Sequence, residues 1–355
     1  MMRSDPAATA LAVVEMMREG RFAEIEELFA PMLRAQVSAE TLRLAWNAEA
    51  GKIGSVSAVG EAESEPIASD LVLVRVPVAG ESGGRTVVMS VDDDGLLNGF
   101  RFDPEAGAEW TPPPYARPGR FEEHEVTVGT GELAVPGTLS LPRGRAPGPG
   151  VVLLSGGGPF DRDATTGLNK PLKDLAWGLA GRGVAVLRFD KVTHTHARQV
   201  AGTRDFTMAD EYVPHAVAAV HLLQRHPAVD AARVFVLGHS MGGKAAPRVA
   251  AAEPSVAGLI TMAGDAQPMQ RAAVRVIGYL ASLSPGPDAD SAVEAITRQA
   301  AMVDSPDLSP STPVVELPFG LSGSYWLDLR GYDPVATAAE LGKPMLILQG
   351  AATTR

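Results

Sequence analysis

RVFVLGHSMGGKAAPRVAAAE, residues 233 to 253, is the stretch on which the reading of the chain turns. An apolar run rich in β-branched residues, Val234 to Leu237, meets Gly238, and an alanine-rich helical segment begins just after Gly243. Between them stands G-x-S-x-G, written here Gly238-His239-Ser240-Met241-Gly242. Strand, sharp turn and helix is the setting that gives this pattern a chemical meaning. Small neighbours let Ser240 take a strained backbone and push its hydroxyl out above the strand ends, where a helix N-terminus offers a positive dipole end to a forming oxyanion. Ser240 is the candidate nucleophile, with an ordinary turn serine as the plain alternative. His239 is expected to pack beneath the turn.

Outward from this stretch, apolar strands alternate with helical segments. EHEVTVG and PGTLSLP read as an antiparallel start, followed by VVLLSG, a helix near 169–182, VAVLRFD, a helix near 210–226, the stretch quoted above and VAGLITMAG. Continuous Val, Ile and Leu runs separated by helices predict parallel strands covered on both faces. A looser Ser-, Pro- and Asp-rich insert spans about 266–340, and one more strand, PMLILQG, ends at Gly350. The other direction is built differently. In residues 6–48, Leu11, Val14, Met17, Phe22, Ile25, Phe29, Leu42 and Leu44 fall at helical spacings, giving three short helices. From Ile53 to Phe102, short β-rich stretches alternate with turns, and SEPIASD reads as one of the separators. The expected division is a small α+β domain over 1–109, a proline-rich linker over 110–120 and an α/β domain over 121–355.

With the elbow, the segment LLSGGGPFDRDATTGLNKPLKDLA (Leu153 to Ala176) and VLRFDK (Val186 to Lys191), the chain resembles the α/β-hydrolase family. It is most similar to bacterial serine hydrolases of the dienelactone-hydrolase and acyl-peptidase type with a small N-terminal domain. The pattern of that first domain looks like the cone-shaped cystatin or nuclear-transport-factor class. The resemblance covers about 121–350 and implies a mostly parallel sheet. It also implies an oxyanion site built from the Met241 amide with that of Gly157 or Gly158, where missing side chains let two N–H groups reach one oxygen. Asp161, Arg162 and Asp163 are read as pairing with each other to brace this loop, or else as touching substrate. Tyr325 and Trp326, with Met269 and Leu280, are candidates to line an acyl pocket, or else form the core of the insert.

In this fold the triad follows the chain order Ser, acid, His, yet every histidine other than His239 precedes the elbow and none follows Ser240. The resemblance implies a chain lacking the family's final strand and helix, by nature or through a frame change at the end of the gene. Asp265 is then the candidate acid, or a helix cap, and His194 or His196 the candidate base. The function expected is hydrolysis of an ester or related acyl bond through an acyl-enzyme, impaired by the missing groups; the alternative is a non-catalytic binding protein of the same fold.

Composition limits the partners. A net charge of −11 over 355 residues argues against nucleic acid. The absence of cysteine excludes disulfides and thiolate chemistry. Charged residues interrupt the apolar N-terminus, and no run approaches the roughly 18 apolar residues of a membrane span. The expectation is a cytoplasmic protein without metal or organic cofactor, acting on a small acyl substrate, with a homodimer formed through the uncovered edge of PMLILQG.

Overall fold

Two units, Met1–Trp110 and Thr111–Arg355, make up the chain. The structure, a computed structural model, describes residues 5–34, 37–68, 71–104, 110–144, 147–203, 205–283 and 286–350.

In the first unit the helices α1 (Pro6–Glu19), α2 (Phe22–Glu27), α3 (Pro31–Arg34) and α4 (Ala39–Ile53) precede the strands β1 (Val56–Val59), β2 (Glu63–Ala68), β3 (Leu71–Gly80), β4 (Gly83–Asp92) and β5 (Leu97–Pro104). The strands form an antiparallel sheet in the order β1-β3-β4-β5, with β2 also on β3. Val13, Val14 and Met17 of α1 pack on Val74, Val76, Val87 and Met89 of the sheet. Two expectations are corrected here. The helical part contains four helices and runs to Ile53, burying Trp46 while Leu44 stays 41% exposed. The expected separator SEPIASD contains most of β2; its Pro66 is tolerated because β2 pairs on one side only.

The second unit contains β6 (Phe121–Val128), β7 (Val135–Pro142), β8 (Gly148–Leu154), α5 (Pro171–Ala180), β9 (Ala185–Phe189), α6 (Val192–Thr195), α7 (Ala197–Ala201), α8 (Met208–Gln224), β10 (Val229–His239), α9 (Met241–Ala252), β11 (Gly258–Met262), α10 (Met269–Leu283), α11 (Pro287–Asp304), α12 (Gly323–Gly331), α13 (Pro334–Leu341) and β12 (Met345–Leu348). Among the described residues its sheet has seven strands in the order β12-β11-β10-β8-β9-β7-β6. Strands β9, β8, β10, β11 and β12 are parallel, while β6 and β7 join antiparallel at one end. Both faces are covered, which is why the strands read as continuous apolar runs: Val151 and Leu153 meet Leu172 and Ala176 of α5, and Val152 and Leu154 meet the layer of α8 and α9. The proline-rich stretch joins this unit from Thr111 onward. A Cβ at Gly178 of α5 would lie 2.9 Å from the Tyr115 ring, and Arg182 stands over that ring.

The insert after β11 is folded where the composition suggests looseness. Its Ser and Asp residues cap helices: Ser322 accepts from the Tyr325 amide at the start of α12, and Asp333 from the Val335 and Ala336 amides at α13.

Candidate active site

Strand order reverses between β9 and β10 on either side of β8, so the loops after β8 and β10 open side by side at one crevice. The β8–β10 register pairs Gly238 with Leu154, which brings Ser240 beside Gly156 two residues on. A Cβ at Gly156 would stand 3.4 Å from the Ser240 Cβ. Ser240 caps α9 at φ 53° and ψ −117°, and its amide donates to the Met262 carbonyl at 2.9 Å. The side chain is exposed, and its hydroxyl has no side-chain partner among the described residues.

The flanking glycines are required by contact distances. A Cβ on Gly238 would fall 2.1 Å from the Gly242 carbonyl oxygen, and one on Gly242 would fall 2.5 Å from that of Ser155. Neither clash is with a flexible side chain, so Gly242→Ala is expected to force α9 away from β8 and lower stability by about 1–3 kcal/mol, read from the urea midpoint.

The loop after β8 is held from below. Gly156 is buried and Gly157 and Gly158 are exposed. The Gly156 carbonyl accepts from Lys191 Nζ at 3.0 Å and from the Tyr212 hydroxyl at 2.8 Å, and the Ser155 carbonyl lies 3.1 Å from that same hydroxyl. Lys191 also donates to Glu211 at 2.9 Å and to the Tyr212 oxygen at 2.9 Å. Glu211 in turn accepts from Thr193 and from the Tyr325 hydroxyl at 2.6 Å. Burial pulls the Lys191 ammonium below its usual range, against the pull of Glu211, and pushes the Tyr212 phenol well up. Neither Glu211 nor Tyr212 stood out in the sequence, and Lys191 did so only as the last residue of VLRFDK; a lysine two residues after the fully buried strand β9 was the available signal.

The remaining candidates are placed as follows. His194 Nδ1 lies 3.1 Å from the Pro159 carbonyl oxygen and His196 Nε2 lies 2.8 Å from that of Ala134. Asp265 accepts from the Gln267 amide and pairs with Arg275 at 2.8 Å. The structure joins none of these three to another or to Ser240, because each is engaged locally. His239 is exposed beside Gly156, contrary to the expected packing beneath the turn. Of the two readings of Tyr325 and Trp326, burial favours core over pocket lining: they are 5% and 0% exposed, and the indole donates to the Pro318 carbonyl. Of their companions Leu280 is 53% exposed. Asp161, Arg162 and Asp163 do brace the loop, through other partners than expected. Arg162 pairs with Asp190 and Glu125, Asp163 with Arg188 and Lys170, and Asp161 with Thr165. Among the described residues no three His, Asp or Glu side chains gather as metal ligands.

Residues 170–353, more than half of the chain, match the family described as serine aminopeptidase, S33. The chain belongs to this family. It is an α/β-hydrolase with a separate, smaller N-terminal sheet domain. Over 342 residues the S33-family chain is 29% identical to esterase EstD of Thermotoga maritima, spanning 96% of this chain and 78% of that one. Similar solved structures include Est1E from Butyrivibrio proteoclasticus, 18% identical, covering 64% of this chain and 77% of that one at a TM-score of 0.42. Brefeldin A esterase, described as a bacterial homologue of human hormone sensitive lipase, is 16% identical, covering 68% and 71% at 0.39. No helix among the described residues of the S33-family chain is long and apolar enough to cross a membrane.

Proposed function

We propose that this S33-family chain is a cytoplasmic carboxylic-ester hydrolase that acts on small acyl substrates through an acyl-enzyme on Ser240. The Ser240 oxygen adds to the ester carbonyl while its proton passes to water and from water to the departing alkoxide; with no histidine or carboxylate placed on that hydroxyl among the described residues, turnover is impaired. The acyl group stays on the serine until water adds in the same way and releases the acid. The forming oxyanion is held by the Met241 amide at the start of α9 and by an amide of Gly157 or Gly158. The observation that carries this reading is the Ser240 backbone, φ 53° and ψ −117°, at a strand-to-helix turn beside a glycine loop. The likeness to esterase EstD supports the choice of an ester.

A fluorophosphonate probe tests it. Stoichiometric labelling confined to Ser240 is the expected result, and a panel of aryl esters with graded acyl chains then sets the acyl preference. A folded chain that takes up no label would favour the non-catalytic binding protein.

The proposal includes a homodimer through β12, whose Met345, Leu346, Ile347 and Leu348 are 36%, 51%, 67% and 44% exposed. Among the described residues β12 has a strand on one side only, and an apolar edge strand of this kind favours pairing with a second copy. Sedimentation is expected to show a concentration-dependent dimer that Ile347→Lys abolishes; a wild-type monomer at every concentration would refute it.

A further inference from the structure

The buried groups beneath the glycine loop explain more than its stability. In a trans peptide the carbonyl of one residue and the N–H of the next point in opposite directions. The Gly156 carbonyl is turned inward onto Lys191 Nζ at 3.0 Å and the Tyr212 hydroxyl at 2.8 Å. The Gly157 N–H belongs to that same peptide plane and is therefore turned outward, on the side of the exposed Gly157. A Cβ at Gly157 would lie 3.7 Å from the Met241 Cβ, so this amide stands next to the first residue of α9.

We propose that Lys191 and Tyr212 clamp the Gly156–Gly157 peptide so that the Gly157 N–H, rather than that of Gly158, is the oxyanion donor paired with Met241. This rests on the ester-hydrolase reading above and deepens it. Both clamp residues are positioning residues, since neither touches substrate.

Three features support a clamp over a merely structural ion pair. The three donors of the Lys191 ammonium are each used, on Gly156, Tyr212 and Glu211. Glu211 is held by Thr193 at 2.8 Å and Tyr325 at 2.6 Å, so the lysine cannot swing away from the loop. A cation hydrogen-bonded to the carbonyl end of a peptide polarises it and strengthens the N–H at the other end. Lys191 is 3% exposed, where that polarisation is least screened by water.

The test compares wild type with Lys191→Met/Glu211→Gln, which removes both charges together, and with Tyr212→Phe, which removes one hydroxyl. Aryl-ester turnover and the affinities of a trifluoromethyl ketone, which adds the serine to give an oxyanion, and of the corresponding methyl ketone are measured. The double variant is expected to lose about 10²-fold in kcat and the same factor in trifluoromethyl ketone affinity. KM and methyl ketone affinity should stay within about two-fold, because ground-state binding does not use the clamp. If the double variant does not fold, Tyr212→Phe carries the test with an expected loss of about ten-fold. Wild-type kcat in these variants, or a fall in kcat without the matching fall in trifluoromethyl ketone affinity, overturns the clamp while leaving the hydrolase reading intact. A wild-type chain that fluorophosphonate does not label at Ser240 overturns the hydrolase reading, and the clamp with it.

Discussion

Ser240→Ala is expected to abolish fluorophosphonate labelling and acyl-enzyme formation, and to lower ester turnover, while leaving the fold unchanged, and Ser240→Gly is expected to do the same while raising stability. The activity loss follows from deleting the nucleophile: what survives is the weak catalysis that an oxyanion site and binding supply alone. The stability gain follows from the backbone. At φ 53° and ψ −117° a non-glycine residue occupies a sparsely populated region at a cost of about 1–3 kcal/mol. Glycine relieves that strain and gives back about 0.5–1 kcal/mol through the freedom it restores to the unfolded chain. The net gain is on the order of 1 kcal/mol, visible as a higher urea midpoint. If Ser240→Gly is no more stable than wild type, the turn stores no strain; if Ser240→Ala keeps its activity, the nucleophile is another residue.

The ends of β10 and α9 could be placed from residues alone because close approach has a local signature. Glycine is required wherever a Cβ would meet backbone, and Gly238 and Gly242 flank the one serine that must be thrust outward. The parallel sheet was legible for a similar reason, since burial on both faces writes an uninterrupted apolar run into each strand. The clamp had no such signature. Tyr325 reaches Glu211 across 114 positions and Tyr212 reaches Gly156 across 56, so only the folded chain brings them together. Tyr325 and Trp326 left two readings open for the related reason that an aromatic pair in an insert looks the same whether it lines a pocket or fills a core. The helical edge of the first unit was misjudged at Leu44, where a two-residue shift in face leaves Trp46 inside.

Arg188→Met is the substitution expected to cost the most stability. Arg188 lies on β9, 2% exposed, with Nε 2.7 Å from Asp163 and Nη1 2.8 Å from Glu123 and 3.1 Å from the Ser140 hydroxyl. Methionine keeps most of the volume and removes the charge, leaving Glu123 without a cation and Asp163 with Lys170 alone. Breaking a buried pair on one side costs about 3–5 kcal/mol, far more than the pair contributes over an apolar replacement, because an uncompensated charge stays behind. The pH dependence separates this from simple loss of packing. Burial pushes both carboxyls up, but the hydrogen bonds and charge of Arg188 outweigh it and hold Glu123 and Asp163 below the usual carboxylate range. Groups with depressed values in the folded state contribute their full stability above the unfolded carboxylate values, near pH 4, and lose it as the pH falls through the folded ones. In Arg188→Met the same carboxyls lack that cation, so protonation relieves the variant while it weakens wild type. The difference in urea midpoint should be largest near neutral pH and shrink as the pH is lowered towards about 4. A difference that does not change with pH would mean that Arg188 acts through its hydrocarbon stem, and that the loop from Gly156 to Asp163 owes its position to packing instead of charge.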